Sequence, residues 1–159
     1  MSLSERLNFK SEYGLKRMFE MRRIPSLEAS VRVKVYATVE PSEDPKKVEL
    51  AIKNVVGNVE PKKIVAEEDY ILYEFDDEKA LYYIYSKIRD RQVVSAAKRL
   101  LLSNKVGSST KLMLNKQVAY IGNIVVCEEE GESPLGPIFV EIESPNIDSV
   151  IEWLAGEVF

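Results

Sequence analysis

The chain contains no histidine and one cysteine. Without histidine there is no imidazole acid–base catalysis, no Ser-His or Cys-His nucleophile pair and no imidazole metal ligand. A lone Cys127 permits neither an internal disulfide nor a thiolate metal cluster. No apolar run approaches the roughly 20 residues that span a bilayer, so no membrane association is expected. The N-terminus lacks the apolar core of a signal peptide, which points to a cytoplasmic protein. No P-loop or EF-hand spacing occurs. Carboxylates, lysines, tyrosines and serines remain for chemistry, but no motif assembles them. The expectation is a non-enzymatic protein with no catalytic residue, no metal and no cofactor.

Two further absences are positional. No glycine or proline occurs between Asp76 and Val106, and no lysine or arginine follows Lys116. The net charge of −4 therefore hides a strong asymmetry. Residues 87–116 carry eight Lys/Arg against one acid, while residues 117–159 carry nine acids and no base. A basic block of this kind is a phosphate-binding footprint, or else the two blocks face each other across the fold or stand solvated.

With 159 residues, 45% hydrophobic and 30% charged, the chain is long enough for one soluble domain with a real core. Residues 1–29 read as an N-terminal arm or docking helix, with Leu15, Met18 and Phe19 at helical spacing and Pro25 at its end. Met1-Ser-Leu3 resembles an expression scar, and Met18 or Met21 are alternative starts. Residues 30–159 form the domain. Val31, Val33, Val35, Ala37 and Val39 alternate with polar residues and predict a strand. Asp44-Pro45 predicts a capped helix start, with Val48, Ala51, Ile52 and Val55 inward and Gly57 as its stop. Ile64–Ala66 and Tyr70–Phe75 read as strands around a polar turn.

The Gly/Pro-free stretch tempts one long helix. However, Leu81, Ile84, Tyr85 and Ile88 share one face, whereas Val93, Val94, Ala97, Leu100 and Leu101 share the roughly opposite one. Two helices are predicted, at 77–89 and 92–104, with a break near Asp90. Leu112–Leu114 and Val118–Ile121 flank Asn115-Lys-Gln117 and read as two strands about a tight corner at the centre of a sheet. An acidic loop, a strand over Ile138–Ile142 and a C-terminal helix from Asn146 or Asp148 complete the order. Trp153 is expected on that helix's flank. The fold class is α+β: a two-layer domain, with helices on one face of a mostly antiparallel sheet.

Four stretches carry a family resemblance. Leu114-Asn-Lys-Gln-Val-Ala-Tyr-Ile-Gly122 resembles one signature of a small archaeal family labelled uncharacterised or predicted RNA-binding. Pro134-Leu-Gly-Pro-Ile138 resembles a second. Val39-Glu-Pro-Ser-Glu-Asp-Pro-Lys-Lys-Val48 is similar to the family's opening strand–helix corner, and Arg91-Gln-Val-Val-Ser-Ala-Ala-Lys-Arg99 to its pre-hairpin helix. The resemblance covers about residues 30–155, with Val118 in place of an expected alanine. It implies a fold like that of the large-subunit ribosomal protein that docks on the small ribosomal RNA, and RNA binding by analogy.

The leading expectation is an RNA partner held by Arg91, Lys98, Arg99, Lys105, Lys111 and Lys116 through phosphates. Asn115 and Gln117 would offer amides to sugars or base edges. The opposing reading makes Asn115 a turn-former, Gln117 a buried amide closing the corner and Lys116 solvated surface. Tyr120 either stacks a base or belongs to the core. The alternative is a homodimeric interaction module anchored by Tyr82 and Tyr83, or by the acidic segment of one chain against the basic segment of another. A third reading is an enzyme using carboxylates and a lysine, with Asp76, Asp77 and Glu78 as the carboxylate cluster, at a predicted helix start where capping is the competing role.

Overall fold

The structure, a computed structural model, describes residues 24–156. The predicted helix over residues 15–19 lies outside them. Strand β1 (Arg32–Thr38) leads through the Asp44 corner into α1 (Pro45–Val56), followed by the hairpin β2 (Lys63–Ala66) and β3 (Tyr70–Phe75). A 3₁₀ turn at Glu78–Leu81 opens α2 (Tyr82–Lys87), and α3 spans Arg91–Ser103. Next come β4 (Ser109–Leu114), the short α4 (Lys116–Tyr120), the two-residue β5 (Val126–Cys127), β6 (Ile138–Glu143) and α5 (Ile147–Ala155).

The six strands form one antiparallel sheet in the order β2-β3-β1-β6-β4-β5. Alternation decides its two faces. Val33, Val35 and Ala37 of β1 are buried with Ile71, Tyr73 and Phe75 of β3, Leu112 and Leu114 of β4, and Ile138, Val140 and Ile142 of β6. The helices supply the other half of this core through Ile52 and Val55, Leu81 and Ile84, Ala97 and Leu101, and Val150 and Leu154. Burying each such Leu or Ile stabilises the fold by about 1.5–3 kcal/mol. The domain is α+β with its helices on one side of the sheet. No helix among the described residues is long and apolar enough to cross a membrane.

Local chemistry sets the boundaries. Asp44 accepts from the Lys46 amide at 3.0 Å and caps α1, with Pro45 at its first position. Asp90 accepts from the amides of Gln92 and Val93, caps α3 and makes the predicted break between the two central helices. Trp153 sits half-buried on the flank of α5, with its ring 5.0 Å from Tyr85 and its Nε1 donating to the Pro25 carbonyl at 2.7 Å. Leu27 is buried in the core, and its amide donates to Glu78.

Three expectations fail. The stretch after Leu114 is not a second strand. Asn115 caps a helical turn by accepting from the Val118 amide at 3.0 Å, and Ala119 is buried against α1. A four-residue apolar run has too few periods to separate strand from helix, so the cap decides. This region is not at the sheet's centre either, which belongs to β1 and β6. Finally, Tyr83 is not an exposed anchor. It is buried, and its hydroxyl donates to the Gly122 carbonyl. The 3₁₀ turn before α2 winds more tightly than an α-helix and rotates the wheel on which Tyr83 was placed.

Candidate functional site

Three of the motif stretches meet at one side chain. Lys116 opens α4 and turns its ammonium inward, where only 3% of the side chain is exposed. The Nζ donates to the Thr38 carbonyl at 2.9 Å, the Leu135 carbonyl at 2.8 Å and Glu43 Oε1 at 2.9 Å. Those partners come from the end of β1, the Pro134–Ile138 loop and the corner before α1. An ammonium has three donors, and these three acceptors take all of them. The Lys116 amide adds a bond to Ser133 Oγ at 3.0 Å, and Gln117 Nε2 donates to the Pro134 carbonyl at 2.8 Å. Asn54 Nδ2 ties α1 to α4 through the carbonyls of Ala119 and Tyr120.

This junction corrects two readings of the corner. Lys116 is neither solvated surface nor a free phosphate contact, because its charge is spent inside the protein. Gln117 closes the corner as expected but is exposed, not buried. Asn115 is the cap described above. Tyr120 is 39% exposed, with Lys47 Nζ 5.8 Å from its ring centre, so it is not a core residue. Beside the junction lies a cleft of about 360 Å³ whose rim mixes Glu43 and Asp44 with Lys47.

The basic ridge of α3 meets the acidic C-terminal segment. Lys98 Nζ lies 2.9 Å from Glu152 and Lys105 Nζ 2.6 Å from Asp148, both on α5. Arg99 pairs with Glu128. Arg91 stands exposed in the first turn of α3. Three of the eight bases in the basic block thus pair with acids of the same chain's C-terminal segment. Such exposed pairs contribute little to stability and leave the ridge close to neutral overall.

Lys111 lies elsewhere, on the sheet face turned away from the helices. The strand register orders this face into two rows. Lys63, Glu74, Lys34, Glu141 and Lys111 run across the sheet as alternating charges. Next to them run Val65, Leu72, Tyr36, Phe139 and Met113. All but the exposed Lys63 are partly exposed. Tyr36 stacks on Phe139 with ring centres 5.2 Å apart, and Tyr70 lies 6.0 Å from Tyr36. Lys111 Nζ sits 5.5 Å from the Phe139 ring centre. Partial burial, then the nearby Glu141 carboxylate, push the Tyr36 hydroxyl up to about 12. At neutral pH it is a donor, at 3.4 Å from Glu141 Oε2. Sequence reading missed this aromatic row. Its signal was present in the outward positions of β1 and β6, but only the register shows that they adjoin.

The carboxylates at 76–78 have structural partners. Asp76 pairs with Lys62 at 2.8 Å and Arg32 at 3.8 Å, and the Lys62 contact holds its carboxyl below the usual range. Asp77 caps the 3₁₀ turn. Among the described residues no group of three acids or cysteines is placed to hold a metal.

A family model described as RNA binding matches residues 32–144, which contain the whole sheet and the junction. The chain belongs to this family. Its relatives include an archaeal UPF0201 protein of Sulfolobus acidocaldarius, 39% identical over 127 residues, which cover 77% of this chain and 86% of that one. The UPF0201 protein of Metallosphaera sedula is 34% identical over 126 residues, covering 78% and 87%. Among solved structures, the UPF0201 protein of Methanococcus jannaschii superposes with a TM-score of 0.65 at 24% identity, over 80% of this chain and 95% of that one. That likeness carries the α+β fold. The family description names no enzymatic activity.

Proposed function

We propose that this protein binds single-stranded or looped RNA across the face of its sheet that no described helix covers. The observation that carries the reading is the Tyr36–Phe139 stack, with Tyr70 beside it and Lys34 and Lys111 on the adjoining row. Unpaired bases stack on aromatic rings, at about 1–3 kcal/mol per base, and lysines at the rim meet the phosphates. The family description supports the same class of ligand. Lys111 is the residue of the basic block that joins this platform. Arg91, Lys98 and Arg99 of α3, with Lys105 just beyond its end, form a second surface, where phosphates compete with Glu152, Glu128 and Asp148.

Fluorescence anisotropy with labelled single-stranded and duplex RNA, repeated across a salt series, tests the proposal. Single-stranded RNA is expected to bind more tightly, and added salt to weaken it. Lys34→Glu with Lys111→Glu should weaken binding about tenfold or more, and Arg91→Glu with Arg99→Glu by less. No binding at low salt overturns the function. Loss confined to the α3 variant moves the site to the ridge.

A further inference from the structure

The sheet has two edges, and they differ. The β5 edge is two residues long, at Val126–Cys127. The β2 edge presents Lys63–Ala66 with all but Val65 exposed. An exposed edge is a template for another strand. The stretch Lys62-Lys-Ile-Val-Ala-Glu-Glu68 is basic at one end, acidic at the other and apolar between. Reversed, the same stretch complements itself.

Backbone direction selects a register. The Glu67 amide donates to the Tyr70 carbonyl at 2.8 Å, inward to β3. Two-residue alternation then turns the polar backbone groups of Ile64 and Ala66 to the open side. An antiparallel partner strand bonds to those groups when Ile64 of one copy faces Ala66 of the other. The same register sets Val65 against Val65 and Lys63 against Glu67, and it stops there, because the Lys62 amide turns inward to the Glu74 carbonyl at 2.7 Å. The Val65 and Lys63–Glu67 pairs fall at non-hydrogen-bonded positions, where side chains lie closest. Lys62 already pairs with Asp76, so Lys63–Glu67, made twice, is the principal charge contact. On the helix side, Ile64 and Leu50 are 51% and 44% exposed at a cleft of about 720 Å³ that includes Tyr73. A two-fold axis at Val65 brings both copies of this apolar pair together.

We infer that the β2 edge is a self-complementary interface: two copies pair antiparallel about Val65 and join their sheets into one. This is an isologous contact, in which one patch serves both partners. It uses neither Tyr82 nor Tyr83, and it does not depend on RNA binding.

Sedimentation of the full chain should give about twice its 18.1 kDa mass. Lys62→Glu with Lys63→Glu makes both ends of the edge acidic, and Glu67→Lys with Glu68→Lys makes both basic. Each variant alone should sediment as a monomer, and an equimolar mixture should restore the dimer, because the two altered edges complement each other. Amide exchange on the native protein gives a second reading, with Ile64 and Ala66 protected at high concentration and released on dilution. A monomer throughout the dilution series overturns the inference. So do variants as dimeric as the native chain, a mixture that stays monomeric, or rapid exchange at Ile64 and Ala66 in a dimer.

Discussion

The Lys116 ammonium lies 2.9 Å from the Glu43 carboxylate, and the two side chains are 3% and 11% exposed. A buried charge is tolerated only when it is paired and its hydrogen bonds are complete. Here the two carbonyls and the carboxylate complete them, and in doing so they fasten β1, the α1 corner and the loop before β6 to α4. The pair acts as a fastener among segments that are far apart in the chain.

Lys116→Met should therefore destabilise the domain by about 3–5 kcal/mol, because it strands Glu43 and two carbonyls. Adding Glu43→Gln should recover part of that loss, since the uncompensated charge is gone. Chemical denaturation of the native protein and these two variants measures both values. A loss near that of an exposed pair would mean that water replaces the ammonium.

The pairs that Lys98 and Lys105 make with α5 should behave differently. Lys98→Ala and Lys105→Ala should each cost less than about 1 kcal/mol, and the cost should shrink further in high salt. Their acidic partners Glu152 and Asp148 are well exposed. Thermal denaturation at two salt concentrations separates this outcome from a buried role.

Asp90→Ala should cost about 1 kcal/mol. It removes the acceptor for two amides at the start of α3. Asp90→Asn should retain most of the stability, because its amide oxygen still accepts. Equilibrium unfolding compares the two.

Alkaline pH should weaken the sheet face. The Tyr36 hydroxyl moves from 10.0 to about 12 on folding, through burial first and Glu141 second. A group raised in the folded state contributes stability that is whole below the unfolded value and is lost as pH rises through the folded one. Tyr36's contribution should thus be intact below pH 10.0 and lost by about 12. Tyr36→Phe should flatten that part of the stability–pH curve.

Much of the fold was legible because its signals are local. The alternation of β1 needs only neighbouring residues, and the caps Asp44 and Asp90 need only the amides two or three positions on. The break between α2 and α3 followed from apolar faces that a straight helix could not bury together. The stretch after Leu114 was harder, since five residues of α4 hold too little periodicity and the Asn115 cap resembles a turn.

The amino-acid sequence by itself determined the α+β class, most of the elements and the segregation of charge into blocks. Those properties rest on period, capping chemistry and composition. Tertiary structure alone decided where the charges go. It turned Lys116 inward to Glu43, set Lys98 and Lys105 against α5, and placed Tyr36 beside Phe139. Such pairings join residues many positions apart, and only strand register and helix packing bring them within bonding distance.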